Sequence, residues 1–310
     1  NSIFFCLQLL CINTKQIDGG IMDNTFYKKY LSQRNLSENT ISSYIYDIES
    51  FKEYLHEEYG LRLNEAKKAH ILTYLVNLQK KGKSSSTISR TISALKNFFD
   101  FLKNEKQIKD NPAISIHSPK QIKKKPSILT EEEINQLMLL PDKNTFKGIR
   151  DLAMLELMYS SGIKVSELIN IKIHQTNLSA GIISIEGDKE RIIPLNKYAK
   201  NAIESYLNNF RNIKTTEDNE FLFINILGEP ISRQGIWKVL KSYEKKMNLK
   251  KELSPQILRN SFAVHLLSNG ADLGTVQELM GLNSLAAAQN YIDNVEFKSL
   301  EVFKKAFPRR

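Results

Sequence analysis

Near its C-terminal end the chain reads PQILRN over residues 255–260, which places Gln256 and Arg259 three residues apart on one helix, and AQNYID over residues 288–293, which brings a short helix to its end at Tyr291. Residues three apart share a helix face. An amide that donates hydrogen bonds therefore stands beside a guanidinium whose planar fork grips oxyanions. A tyrosine in such a place ordinarily packs half-buried with its phenol reaching water, and the rest of the chain decides whether this one does more. Rival chemistry is scarce. Both cysteines, Cys6 and Cys11, fall in the apolar opening segment, so the body of the chain carries no thiol nucleophile, disulfide or cysteine zinc cluster. His265, nine residues beyond Gln256, reads as a packing or surface residue, and Glu167 in KVSEL as an anchor for its own helix.

Apolar periodicity supplies the elements that must hold these groups. Ile41, Tyr44, Ile45, Ile48, Phe51 and Leu55 recur at three- and four-residue steps and predict a helix from Ser37 to about Tyr59. A second helix follows from Glu65 to Lys81, closed by Gly82. A third begins after Ser84 and carries Ile88, Ile92, Leu95, Phe99 and Leu102 on one stripe. With a short first helix at Phe26–Gln33, these form a helical N-terminal unit over residues 22–107. Residues 111–126, NPAISIHSPKQIKKKP, have three prolines and no helical period and read as an extended basic linker, placed at 108–126.

The second unit, residues 127–310, opens with a capping box at Thr130 and Glu133. A helix from Lys147 to Ser160 ends at Gly162, and GIISIE and RIIPL flank Gly187-Asp188 as a two-stranded hairpin, the one clear β signal. Further helices are expected at Tyr198–Arg211, Ser232–Met247, Pro255–Ser268, Asp272–Met280 and Leu285–Ile292, with an amphipathic tail from Phe297 to Phe307. The fold class is mostly α with one small sheet.

The 44 Lys+Arg outnumber the 34 Asp+Glu, for a formal charge of +10, which favours a polyanionic partner. Nucleic acid fits best. No apolar stretch approaches the roughly 20 residues of a membrane span. Ile3–Ile12 also lacks the basic leader and small-residue cleavage site of a signal peptide, so residues 1–21 are set aside as an upstream extension. A reducing cytoplasm is the expected compartment.

Several long motifs, in order, resemble the Xer-type tyrosine recombinases of the phage-integrase family. They are NLSENTISSYIYDIESFKEYL (35–55), YSSGIKVSELINI (159–171), GDKERIIPL (187–195) and LSPQILRNSFAVHLLSNGADLGTVQELMGLNSLAAAQNYI (253–292). The resemblance spans about Asn24 to Phe307. It implies a SAM-like helical core-binding domain and an α+β catalytic domain that clamp duplex DNA. One strand is then cut by a tyrosine, held as a 3′-phosphotyrosine and rejoined to another 5′-hydroxyl, with no metal, other cofactor or small-molecule substrate. It puts Tyr291 at the nucleophile and Arg259 at the second phosphate-binding arginine. Lys164 stands where the family has its first arginine, Gln256 where it has a histidine, and Leu282 where it has histidine or tryptophan. The hairpin is two residues short, which leaves Lys189 as the substitute for the catalytic lysine. Arg233 and Gln234, at the start of the Ser232 helix, and Lys123, Lys124 and Lys125 in the linker are the implied DNA contacts, and the tail implies docking on a neighbouring subunit in a homo- or hetero-tetramer. Because four catalytic positions differ, reduced activity is the expectation. The alternatives are a relative that kept the DNA clamp and lost the chemistry, a type IB topoisomerase-like enzyme, and a plain helical transcription factor.

Overall fold

Apolar side chains at helical spacing give each N-terminal segment one greasy stripe, and the stripes meet in a common core. In the computed structural model, which describes residues 24–34, 36–119, 125–187, 189–211 and 219–295, these segments are α1 (Asn24–Gln33), α2 (Glu38–Tyr59), α3 (Lys68–Lys80) and α4 (Ser85–Asn104). Ser37 and Ser84 start α2 and α4 by accepting hydrogen bonds from the backbone N–H groups of Thr40 and Thr87. Phe51, Leu55, Ile71, Leu95, Phe98 and Phe99 fill the interior, each contributing about 1.5–3 kcal/mol by leaving water. Asp47, buried on α2, receives a bidentate ion pair from Arg90 of α4 at 2.8 Å on both arms. The Lys68 start of α3 lies later than the sequence suggests, because Leu63–Glu65 forms a separate 3₁₀ turn.

The stretch after α4 departs from an extended linker. Ile108, Ala113 and Ile116 pack on the N-terminal core. Asn111 organises the turn: its Oδ1 accepts from the Ala113 N–H at 2.8 Å, while its Nδ2 donates to the Lys96 carbonyl and the Asp100 carboxylate. Composition hid this because three apolar residues among prolines and lysines carry no period. The chain divides into its two compact units between Lys123 and Lys124. Residues 1–21, Lys123 and Lys124 and the tail at 297–307 lie outside the described residues.

The second unit is threaded by α6 (Phe146–Ser161), which follows α5 (Glu131–Leu139) and buries Ala153, Met154, Leu155, Leu157 and Met158. The capping box at Thr130 and Glu133 forms as expected. After α6 come α7 (Val165–Leu168), β1 (Thr176–Asn177), β2 (Ile182–Ile185) and β3 (Arg191–Pro194). The hairpin is thus part of an antiparallel three-stranded sheet, ordered β1-β2-β3, in which Ile183 faces Ile193 and Ile185 faces Arg191. A two-residue strand is too short to show an alternating pattern, so β1 left no mark in the sequence. The remaining helices are α8 (Lys197–Tyr206), α9 (Arg233–Met247), α10 (Pro255–Ser268), α11 (Leu273–Met280) and α12 (Leu285–Gln289). Among the described residues no helix is long and apolar enough to cross a membrane.

The segment that enters this unit is laced to α10 and to the stretch just before it. The Ser127 carbonyl accepts from Asn260, the Leu129 N–H donates to Ser261 Oγ at 2.8 Å, and the Ile128 carbonyl accepts from Lys251 Nζ at 2.7 Å. Asn294, three residues past Tyr291, donates to the Pro126 carbonyl.

Gly162 ends α6 with φ +57, and a Cβ at that position would lie 2.5 Å from the Phe262 ring. Gly162→Ala is expected to cost about 1–3 kcal/mol through left-handed strain and displacement of the ring, read as a lower urea midpoint of the full chain.

Candidate active site

α10 is buried through its middle, from Ile257 to Val264. Gln256 and Arg259 stand about 60° apart around α10, and burial separates them: Arg259, within the buried middle, points inward, and Gln256 remains exposed at the rim. The Arg259 guanidinium donates to the Gly162 carbonyl through Nη1 and to the Met280 carbonyl at 2.7 Å through Nη2. These carbonyls lie at the C-terminal ends of α6 and α11. Both helices close on left-handed glycines, Gly162 and Gly281. Helix C-termini present unpaired carbonyls and partial negative charge, so the cation sits where two helix ends are most electronegative.

Tyr291 completes the group. It is buried with Phe262, Met280 and Ala288, close enough to Arg259 for the guanidinium to act on its phenol. Burial raises the phenol above its ordinary pKa, while the adjacent guanidinium pulls against that rise. Burial likewise pushes Arg259 below its ordinary value, opposed by Tyr291 and Glu167. α12 ends at Gln289, short of the expected Ile292, and Tyr291 leads into a 3₁₀ turn over Ile292–Asn294. Tightening of the last turn is a usual way to close a helix.

Lys164 precedes α7 and is partly exposed, with its Nζ 3.8 Å from Glu167 Oε1. Glu167 anchors its own helix as the sequence suggests, accepting from the Lys164 N–H at 2.9 Å. It does more than that. Both of its oxygens accept from Arg191 of β3, at 3.0 and 2.8 Å. Burial alone would raise the Glu167 carboxyl, but the hydrogen bonds from Arg191 and the Lys164 backbone outweigh it and hold the group below its ordinary range.

Arg191 is the residue sequence reading passed over. Its Nε donates to the Leu279 carbonyl at 2.8 Å, and its Nη1 also reaches the Lys189 carbonyl at 3.3 Å. A signal was available: strand alternation puts Arg191 on the same face as buried Ile193, while Ile192 between them is 60% exposed. An arginine on the core face beside an isoleucine facing water inverts the usual pattern.

The other expected site residues are placed less centrally. Lys189 is exposed at the hairpin turn and lines an open cleft with Arg191, Gln277, Gly281 and Leu282. Leu282 is partly buried against the Tyr291 cluster and brings only hydrocarbon. Gln256 donates to Asn260 Oδ1 at 2.8 Å, and the Asn260 amide donates in turn to Ser127. Arg233 and Gln234 are exposed on the first turn of α9, which starts at Ser232. Lys125 is exposed as well. His265 is a packing residue, with Nδ1 2.9 Å from the Tyr159 hydroxyl.

Comparison with known proteins matches this arrangement over both units. Residues 24–106 match the phage integrase N-terminal SAM-like domain, and residues 127–296 match the phage integrase family. The chain belongs to the phage integrase family. A putative tyrosine recombinase of Caldanaerobacter subterraneus is 42% identical over 92% of the chain and 96% of its own length. Tyrosine recombinase XerD of Staphylococcus haemolyticus is 38% identical, over 91% and 97%. Among solved structures, XerH site-specific recombinase bound to a palindromic difH substrate superposes with a TM-score of 0.71 at 22% identity, covering 88% of this chain and 80% of that one. A lambda integrase dimer bound to a COC′ core site gives 0.67 at 20%, covering 86% and 75%. The fold is that of a tyrosine recombinase: helical SAM-like unit, then mostly helical catalytic-type unit with a small sheet.

Glu167 titrates lower in the folded chain than in the unfolded one, so its contribution to stability is complete above the unfolded value of about 4.3 and is lost as pH falls through the lower folded value. Glu167→Gln strands the Arg191 charge. It is expected to cost about 3 kcal/mol near neutral pH and to remove part of the acid-side slope, both measurable in urea titrations from neutral to acid pH.

Proposed function

We propose that the protein binds duplex DNA and breaks and rejoins it through a 3′-phosphotyrosine formed by Tyr291, at a rate well below that of a recombinase with the full catalytic set. The observation that carries this reading is the Arg259–Tyr291 pair. The guanidinium donates to two carbonyls and lies within electrostatic reach of the phenol, and its hydrogen bonds among the described residues include no carboxylate. Its charge is therefore available to a scissile phosphate brought to Tyr291. Lys164 supplies a second cation, since Arg191 takes up both oxygens of Glu167. Lys189 is the proton donor to the departing 5′ oxygen, and Gln256 donates a hydrogen bond to the phosphate without moving a proton. A DNA substrate places the activity in the cytoplasm, and the match over both units favours strand exchange over topoisomerase relaxation.

Reduced rate follows from donor count. Loss of one preorganised donor costs about 2.7–4 kcal/mol, and Lys164, Gln256, Leu282 and the short hairpin alter four positions that act as a unit. A second reading, DNA binding without chemistry, draws on Leu282, which offers no donor at the cleft beside Lys189. Lys164→Arg, Gln256→His and Leu282→His together should speed the slow formation of covalent adducts on a nicked duplex, carrying the site recovered by binding selection, as read on a denaturing gel; adducts undetectable in the unaltered protein and measurable in the triple variant would favour the second reading. Tyr291→Phe in that background should abolish them. Unaltered protein forming adducts as fast as the triple variant would show that the substituted set is sufficient, and the slow-enzyme reading would fall.

Assembly on DNA belongs to the same proposal. The tail sequence carries Phe297, Leu300, Val302, Phe303 and Phe307, an apolar set suited to a neighbouring subunit. Deleting residues 296–310 should leave binding to a single site intact and abolish cooperative binding to paired sites in gel-shift titrations.

A further inference from the structure

Arg191 carries more of the site than its place on a short strand suggests. Of the five N–H donors of a guanidinium, four hydrogen bonds are accounted for here, and they reach three separate pieces of chain. Nη1 and Nη2 fork onto Glu167, whose Oε2 also receives the Lys164 N–H. Nη1 also meets the Lys189 carbonyl. Nε holds the Leu279 carbonyl, one residue before the Met280 carbonyl that Arg259 grips. The Gly281 backbone lies flat on the group: a Cβ there would stand 2.9 Å from Arg191 Nη1 and 3.1 Å from its Cζ. The arginine side chain is only 6% exposed.

We infer that Arg191 is the positioning residue of this site, the group that sets Lys164, Lys189 and the α11 turn against the Arg259–Tyr291 pair. The inference rests on the recombinase reading for its catalytic consequence and on geometry alone for its structural one. Met280 and Tyr291 share one apolar cluster with Ala288 and Phe262. The α11 turn and the tyrosine therefore move together, and a guanidinium clamped on Leu279 and Gly281 fixes how deeply the phenol seats on Arg259. Arg191 itself touches no reacting atom. Lysine in its place keeps the charge and loses the fork, so it holds Glu167 or the Leu279 carbonyl but not both in plane.

The test uses the full chain with 3-fluorotyrosine incorporated at position 291, read by fluorine NMR. Arg191→Lys is expected to stay folded by circular dichroism, to bind duplex DNA much as the parent does, and to move the fluorine resonance and its pH titration towards those of the free amino acid. Glu167→Gln, which leaves Arg191 on Leu279, should move the same resonance part of the way, and it serves where the lysine variant does not fold. A resonance unmoved in a folded variant overturns the inference. In the Lys164→Arg, Gln256→His, Leu282→His background, Arg191→Lys should slow adduct formation at saturating duplex by about a hundredfold, with half-saturation unchanged. An unchanged rate there also overturns it. If that background forms no adducts even with Arg191 present, the recombinase reading fails, and the fluorine result still decides the positioning role.

Discussion

A buried guanidinium without a carboxylate partner is costly, and the second unit is organised around meeting that cost. Removing an ion from water costs several kcal/mol even after relaxation. Arg259 recovers this from the carbonyl ends of α6 and α11. For both helix ends to converge, each must stop sharply, and each does so on a glycine with positive φ, Gly162 at +57 and Gly281 at +60. Neither glycine has room for a side chain, since one abuts Phe262 and the other Arg191. The closing glycines, the buried arginine and the seated tyrosine are one constraint expressed at four positions.

The charge arrangement around that constraint is asymmetric. Lys164, Arg191 and Arg259 are answered by Glu167, which is saturated by Arg191 and by the N–H of Lys164. Positive charge is left over at the mouth. The neighbouring polar and apolar groups are committed elsewhere. Gln256 spends an N–H on Asn260, and Leu282 gives hydrocarbon to the Tyr291 cluster.

The N-terminal unit meets a simpler requirement. Its helices bury stripes rich in phenylalanine, with Phe98 and Phe99 in edge-on contact at 5.6 Å, and its buried Asp47 is answered directly by Arg90. The Asn111 turn then folds the segment after α4 back onto that core. Here a local amide replaces the regular hydrogen bonds that a helix would have supplied.

Much of this was legible in the chain itself. The stripe from Ile41 to Leu55, the capping box at Thr130 and Glu133, the Gly162 stop and the hairpin around Gly187 are local signals, because helical period, cap chemistry and left-handed glycine act within a few residues. The family, and the pairing of Arg259 with Tyr291, could be read from motif order. The short strand β1, the packed turn at Asn111, the division of Gln256 from Arg259 and the role of Arg191 could not. The first two are too short to carry a period, and the last depends on groups far apart in sequence: Arg191 lies 24 residues from Glu167 and 88 from Leu279. A guanidinium reads as surface charge until the fold surrounds it with acceptors. Sequence determined which elements form and which family motifs the chain carries. Tertiary packing decided which charges are buried, what answers them and how deeply the phenol is seated, because desolvation and hydrogen-bond geometry exist only once distant segments meet.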